Sequence, residues 1–229
     1  MQLKVLSWNI WVYNHFDLVK EFLHKCDADI IGLQEVSEND ESRDTVKLLS
    51  KLGFKHIYSP QLRTWAPDGR KDGPAIFTRL EIVDSSKHIL SEEYGVSMVQ
   101  ADIKIEGKIA HFFSTHLSHT HQKDTPIQSE QIEKVLSLIP DQSSILMGDF
   151  NATPGSHTIQ RVKSRLIDVD PSNLPTWSVY PQGCEVCIPQ KIDTRLDYIF
   201  TTKDIRSYSY KVEDSKGSDH LPISIILEL

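Results

Sequence analysis

The run Ile145-Leu146-Met147-Gly148-Asp149-Phe150-Asn151 decides how this chain is read. Three large apolar residues, followed at once by a glycine, a carboxylate, an aromatic and an amide, describe a short buried strand that ends in chemistry. Residues two apart project from the same side of an extended chain, so Asp149 and Asn151 face one pocket. Working outward, the same arrangement recurs at Ser7-Trp8-Asn9, at Ile30 to Glu35 (IIGLQE), at Phe112 to Leu117 (FFSTHL) and at Arg195 to Ile199 (RLDYI). A sixth case, Gly217 to Pro222 (GSDHLP), sets Asp219 and His220 at the start of the last apolar run. Each has an ordinary alternative when taken alone. Asn9 reads equally as a turn cap, Glu35 as a surface carboxylate, His116 as a half-buried imidazole and Asp197 as a strand-edge charge. Six such strand ends together point to one site.

Around these runs the apolar spacing predicts the other elements. Leu3 to Trp8 and Asp29 to Leu33 read as short buried strands. Between them, Phe16, Val19, Phe22, Leu23 and Cys26 recur at helical steps and make one apolar face. Asp44 to Leu52 reads as a helix stopped by Gly53. Pro74 to Thr78, Ser97 to Ile105 and Lys108 to His116 read as strands, the last two joined by a hairpin turn at Glu106-Gly107. Pro126 to Ile139 is helical in period, and Leu196 to Phe200 and Leu221 to Leu229 read as closing strands. Pro60 to Gly73 reads as a loop, as does Pro171 to Pro189, which would border the site. The interleaving predicts one α/β domain over residues 1–229 with substantial antiparallel pairing, not a doubly wound parallel sheet.

Composition narrows the functional classes. With 25 Lys and Arg against 32 Asp and Glu, the net charge of -7 argues against a protein that grips nucleic acid mainly through a broad basic face. It leaves room for action on phosphates through a bound metal, because clustered carboxylates are themselves the metal's ligands. Three cysteines are too few for a disulfide framework. The opening residues read as a strand and not as a leader, and no apolar run approaches a membrane span. The expected setting is the cytoplasm, with no stable membrane association, and the chain is expected to be a monomer.

The strand-end residues suit metal-assisted attack of water on phosphorus. A Glu supplies hard oxygen for Mg²⁺, an Asp positions or deprotonates water, and a His oriented by a carboxylate acts as base or stabilises charge. Neither a nucleophile elbow of the G-x-S-x-G type nor a phosphate loop of the G-x-x-x-x-G-K type occurs.

In order, SWN, LQEV, STHL, GDFNATP, RLDYIF and GSDH resemble the endonuclease/exonuclease/phosphatase superfamily over Asn9 to His220. The resemblance implies a deoxyribonuclease-I-like fold, a four-layered αββα sandwich of two mainly antiparallel sheets. It also implies Mg²⁺ or Mn²⁺ and hydrolysis of phosphate esters. By that resemblance Glu35 is the principal metal ligand, with Asn9 beside it and Asp219 as a further metal or supporting carboxylate. Asp149 positions or activates the water and Asn151 holds phosphate. His220, oriented by Asp197, stabilises the phosphorane or acts as base, and His116 stabilises phosphate charge or assists the leaving group. The apurinic-endonuclease branch carries an Asp two residues after its first Asn. Here that position is Trp11, and Thr115-His116-Leu117 is a pattern that branch usually lacks, so abasic-site repair ranks lower.

The remaining features are open. Arg63, Arg70 and Trp65 stand in the 60–73 loop as cations and an indole for a substrate strand, or as a solvated loop. Trp11 either walls the pocket or stacks on a base, or belongs to the core. Asp72 is placed as an orienting partner of His116. Cys184-Glu-Val-Cys187 is a lone C-x-x-C, read as two reduced loop thiols for want of two further ligands, and His119 and His121 are read as solvent-facing. The expected substrate is nucleic acid, single-stranded or at an end. The rivals are a small-molecule or lipid-headgroup ester and, from another class, an inactive binding module on the same scaffold.

Overall fold

The computed structural model describes residues 1–37, 40–63, 69–180 and 184–229. In chain order the elements are β1 (Gln2–Asn9), α1 (Phe16–Lys25), β2 (Ile30–Ser37), α2 (Thr45–Lys51), β3 (Lys55–Tyr58), β4 (Gln61–Leu62) and β5 (Lys71–Thr78). They continue as β6 (Glu81–Ser91), β7 (Val96–Ile105), β8 (Lys108–His116), α3 (Pro126–Leu138), β9 (Ser144–Asp149) and α4 (His157–Lys163). β10 (Ile167–Asp168), β11 (Asp197–Thr201), β12 (Arg206–Val212) and β13 (Ile223–Glu228) complete them.

Among the described residues the strands form two sheets. One runs β12-β13-β1-β2-β5-β3 with β4 also on β5, and the other runs β10-β11-β9-β8-β7-β6. Pairing is antiparallel except for β1 with β2 and β8 with β9. Those two parallel pairs need long crossovers, and α1 and α3 lie in them.

Strand alternation sorts the apolar residues into three cores. Leu3, Val5, Ile30, Ile76, Val99, Phe112, Ile145, Met147 and Ile199 pack between the sheets. Leu6, Trp8, Ile31, Leu33 and Phe77 face outward under Val19 and Leu23 of α1 and Leu49 of α2. Phe113, Leu146, Tyr198 and Phe200 do the same under Ile132 and Val135 of α3 and Ile159 and Val162 of α4. The result is the αββα sandwich expected from the sequence. Gly32 lies close against the facing sheet, since a Cβ there would lie 2.7 Å from the Met147 thioether.

The hairpin forms at Glu106-Gly107, with φ of 49° and 86° and Ile105 paired to Lys108, which is the geometry of a two-residue turn that follows strand twist. The 60–73 segment departs from the loop reading. Gln61 pairs with Asp72 and Leu62 with Lys71, so its two ends are strand. β6 and β12 were not legible as strands. Both lie at sheet edges with mostly exposed or half-exposed side chains, which removes the apolar alternation.

The seam between the sheets changes character along its length. It is apolar at Leu3, Val5, Ile145 and Met147, then polar at Ser7, Asn9, Gln34, Ser114, His116, Asp149 and Asp197. Gln34 crosses it, its Nε2 donating to Ser114 Oγ at 3.1 Å. The parallel pairs bring the carboxyl ends of β1, β2, β8 and β9 to this polar end, where His116 is paired with Asp149 and Asp149 with Asp197.

Candidate active site

A cleft of about 510 Å³ opens at the polar end of the seam, lined by Glu35, His116, Asp149, Asn151, Asp219 and His220 and by the aromatics Trp11, Tyr13, Tyr94 and Trp177. Glu35 reaches it through a defect in β2. Leu33 pairs with Ala75 and Val36 with Gly73, so two residues oppose Pro74 alone, and Glu35 takes φ 57°. The bulge re-aims the Glu35 carboxylate into the cleft while Val36 stays in the outer core. Pro74, which has no N–H to lose, suits the interrupted ladder.

Hydrogen bonds fix the other groups. Asn9 Nδ2 donates to Asp149 Oδ2 at 2.9 Å and to Glu35 Oε1 at 3.1 Å, so one amide spans two carboxylates. The Val12 N–H donates to Glu35 Oε2 at 2.9 Å, and the Asn151 N–H to Asp149 Oδ1 at 2.8 Å. Asp197 Oδ2 lies 2.8 Å from His220 Nδ1 and accepts from Thr176 Oγ1 at 2.6 Å. The far ring nitrogen, His220 Nε2, faces Asp149 Oδ2 at 3.6 Å. Asp219 Oδ2 accepts from the Trp177 indole at 3.1 Å. Asn151 Nδ2 donates to the Leu117 carbonyl and to His116 Nε2, each at 3.0 Å. His116 Nδ1 is buried without a partner.

The electrostatics separate the two imidazoles. Burial, with Arg63 adding to it, depresses His116 to about 3, so that ring is neutral. Burial also opposes charge on His220, but Asp197, Asp149 and Asp219 outweigh it and raise that imidazole well above its usual value. Asp149 is pushed up to about 7, first by burial, with His220 pulling the other way. Burial likewise raises Asp219.

Asn9, Glu35, His116, Asp149, Asn151, Asp197, Asp219 and His220 are thus brought together as the sequence anticipates. Trp11 walls the cleft, stacked on Tyr180 with ring centroids 5.9 Å apart. Arg70 borders the cleft and lies over the Tyr13 ring at 5.1 Å. Trp65 lies outside the described residues. Two placements need correction. Arg63 lines the cleft but is not a solvated cation: it is 7% exposed, donates from Nε to Asp72 Oδ1 at 2.7 Å and from Nη1 to the Gly95 carbonyl at 3.0 Å. Asp72 therefore answers Arg63 and does not orient His116, whose Nδ1 has no partner. The thiols are free and the two histidines exposed, as read, but the fold also gathers Cys184, Cys187, His119 and His121 into one cluster beside the cleft, which the lone C-x-x-C does not reveal.

Sequence reasoning missed several groups. Thr176 and Trp177 come from the 171–189 loop, and Thr176 carries no periodic signal that would tie it to Asp197. Gln128 of α3 is buried and bonds the carbonyls of Ser118, Phe150 and Asn151, holding together the segments that follow β8 and β9. Only its place, with Gln131, on the buried face of the helix could have marked it.

The donor set fits a divalent cation. Glu35, Asp149 and Asp219 line the cleft, with Asp197 bonded to His220, while Arg63 and Arg70 both turn to Asp72, which leaves hard anionic oxygen for such an ion. Asp149, Asp197 and His220 also lie within ligand distance of one another. His220 Nδ1 is already held by Asp197, so oxygen donors around Glu35 suit the cation better.

Solved structures of the same architecture include an endonuclease/exonuclease/phosphatase family protein from Leptotrichia buccalis, with TM-score 0.78 and 21% identity over 99% of this chain and 100% of that one. ANGEL2, described as a 2',3'-cyclic phosphatase, superposes with TM-score 0.79 at 14% identity over 99% and 95% of the two chains. The Bacteroides thetaiotaomicron mannosyl-6-phosphatase gives TM-score 0.71 at 20% identity over 99% and 100%. No curated protein sequence matches the chain. The model of the endonuclease/exonuclease/phosphatase family matches residues 6–220, from the strand that delivers Asn9 to His220 itself. By that match the chain belongs to the endonuclease/exonuclease/phosphatase family of phosphoesterases.

Proposed function

We propose that this chain is a Mg²⁺-dependent phosphodiesterase that cleaves nucleic acid at a single-stranded segment or an end. The observation that carries the reading is the junction of a carboxylate-imidazole centre with an aromatic rim. Tyr13, 57% exposed, stands beside Trp11 and Arg70 at the mouth of the cleft that holds Glu35, Asp149 and His220. Exposed aromatic faces beside a cation suit stacked bases next to a phosphate, and the net charge of -7 favours a short contact over a long duplex track.

Glu35, with Asn9 and Asp219 beside it, would hold the cation. Bound there, Mg²⁺ supplies Lewis-acid polarisation of the phosphoryl oxygens. The chain's own residues do the rest. Asp149 takes the proton of the attacking water as the new oxygen–phosphorus bond forms and the bond to the leaving oxygen breaks. His220, held by Asp197, presents Nε2–H to the charge that develops on phosphate oxygen. Asn151 would orient the phosphate by exchanging its Nδ2 bond to His116 Nε2 for a phosphate oxygen.

That a mannosyl-6-phosphatase shares this fold favours, as a second reading, a small phosphate ester. Both are tested by one panel: single-stranded DNA and RNA oligonucleotides, nucleotide esters and sugar phosphates, each with Mg²⁺ or chelator, beside His220→Ala. Metal-dependent oligonucleotide cleavage, reduced about 10²–10³-fold by the substitution, is expected. Turnover of sugar phosphates alone would establish the second reading, and no turnover of any ester would return the inactive-module reading.

A further inference from the structure

The 118–125 segment after β8 and the 171–195 segment before β11 meet beside the cleft, at His119, His121, Cys184 and Cys187. His119 Nε2 and His121 Nδ1 are 3.1 Å apart. Cys184 Sγ lies 3.6 Å from the first and 3.5 Å from the second, and Cys187 Sγ lies 3.8 and 3.6 Å from them. Four donors with metal–sulfur bonds of about 2.3 Å and metal–nitrogen bonds of about 2.0–2.1 Å define a tetrahedron. Its edges are about 3.5 Å between sulfur and nitrogen, 3.3 Å between nitrogens and 3.8 Å between sulfurs. Five of the six edges match that figure closely. The sulfurs, 2.6 Å apart, would open by about 1.2 Å.

The hydrogen-bond network independently presents a lone pair to this centre. The Leu117 carbonyl can only accept, so the Asn151 amide must turn Nδ2 toward it and Oδ1 away. Asn151 Oδ1 lies 2.8 Å from His119 Nδ1, which must therefore carry the proton. A neutral His119 then has an unprotonated Nε2, and that atom faces His121 and both thiols. Holding one ring nitrogen by hydrogen bond so that the other is free to ligate is how metal-binding histidines are oriented.

We propose that His119, His121, Cys184 and Cys187 bind one Zn²⁺, separate from the Glu35 centre. Two thiolates and two imidazoles in tetrahedral array select Zn²⁺ over Mg²⁺, which prefers oxygen donors. All four positions are filled by protein, so the ion is structural: it ties the 171–195 segment, which carries Thr176 and Trp177, to the segment that follows β8. Because His119 also grips Asn151, the zinc centre fixes one of the cleft's amides from behind. His119 is in this respect a positioning residue.

The test is metal content and coordination of the full chain, purified under reducing conditions without added metal and then reconstituted with Zn²⁺ or Co²⁺. One equivalent of zinc that survives Mg²⁺ exchange is expected. The Co²⁺ form should show visible bands of a tetrahedral site with thiolate charge transfer. Cys187→Ser and His121→Asn should each lose the ion or its charge-transfer signature, whereas Cys26→Ser, distant in the outer core of the other sheet, should keep both. Circular dichroism on each variant separates metal loss from unfolding. Absence of a tightly bound equivalent after reconstitution, cobalt spectra without thiolate character, or retention of the signature in both ligand variants would overturn the site. So would a Cys184–Cys187 disulfide that persists in reductant.

Discussion

His220 lies between two carboxylates of one sheet, bonded through Nδ1 to Asp197 Oδ2 at 2.8 Å and facing Asp149 Oδ2 with Nε2 at 3.6 Å. Asp197 is the first strand residue of β11 and Asp149 the last of β9, and the two are directly paired across the ladder. The pairing fixes the spacing of the carboxylates, and the imidazole fits between them. Since the raised pKa of His220 owes most to Asp197 among its attractive partners, Asp197→Asn should lower it. If turnover needs the imidazolium, activity falls as pH rises through the pKa of His220, and the substitution moves that alkaline limb to lower pH. A kcat/KM profile from pH 6 to 10 on both proteins checks this, and superimposed limbs would remove His220 as the titrating acid.

Glu35→Gln keeps the shape of the bulge and the hydrogen bond from Val12 N–H but deletes a hard anionic ligand. The Mg²⁺ concentration for half-maximal activity should rise roughly tenfold or more. Titration of activity against Mg²⁺ decides it. An unchanged midpoint would assign the cation elsewhere, with Asp149 and Asp219 the next candidates.

Two glycines near the polar end of the sheets should respond unequally. At Gly32 an added Cβ meets only the far end of Met147, a flexible side chain, and Gly32→Ala should cost about 1 kcal/mol. At Gly148, φ is 148° and an added Cβ would lie 2.0 Å from the Thr115 carbonyl oxygen on the parallel neighbour β8. Gly148→Ala should cost about 3 kcal/mol and separate His116 from Asp149. Urea unfolding of both variants gives the comparison, and equal losses would contradict the close approach.

Tyr13→Ala and Trp11→Ala should raise KM for oligonucleotides, by about 1–3 kcal/mol for each stacked base lost, and leave turnover of a small activated phosphodiester nearly unchanged. Parallel kinetics on the two substrates read out the difference. Equal losses on both would place these rings in the support of the centre and not in substrate contact.

Much of this was legible because the chemistry sits on strand ends. Asn9, His116, Asp149 and Asp197 each end or begin an apolar run, and alternation alone aims them inward once the strands are found. Glu35 was legible by type but not by direction, since simple alternation after Gln34 would have sent it to the outer core; only the bulge turns it. The ion pair of Arg63 and Asp72 was hidden because both residues lie in a Pro- and Gly-rich segment whose ends close into β4 and β5. The zinc ligands were hidden for a different reason. His119 and Cys184 are 65 residues apart, and only the fold shows that their two loops share one corner.

Deleting Glu35 would restore an uninterrupted ladder against β5 and keep Val36 in the outer core, at the loss of the carboxylate. A chain carrying that deletion would gain a regular strand and lose its acid. The irregular strand is what lets one position serve the cleft while its neighbour Val36 serves the outer core.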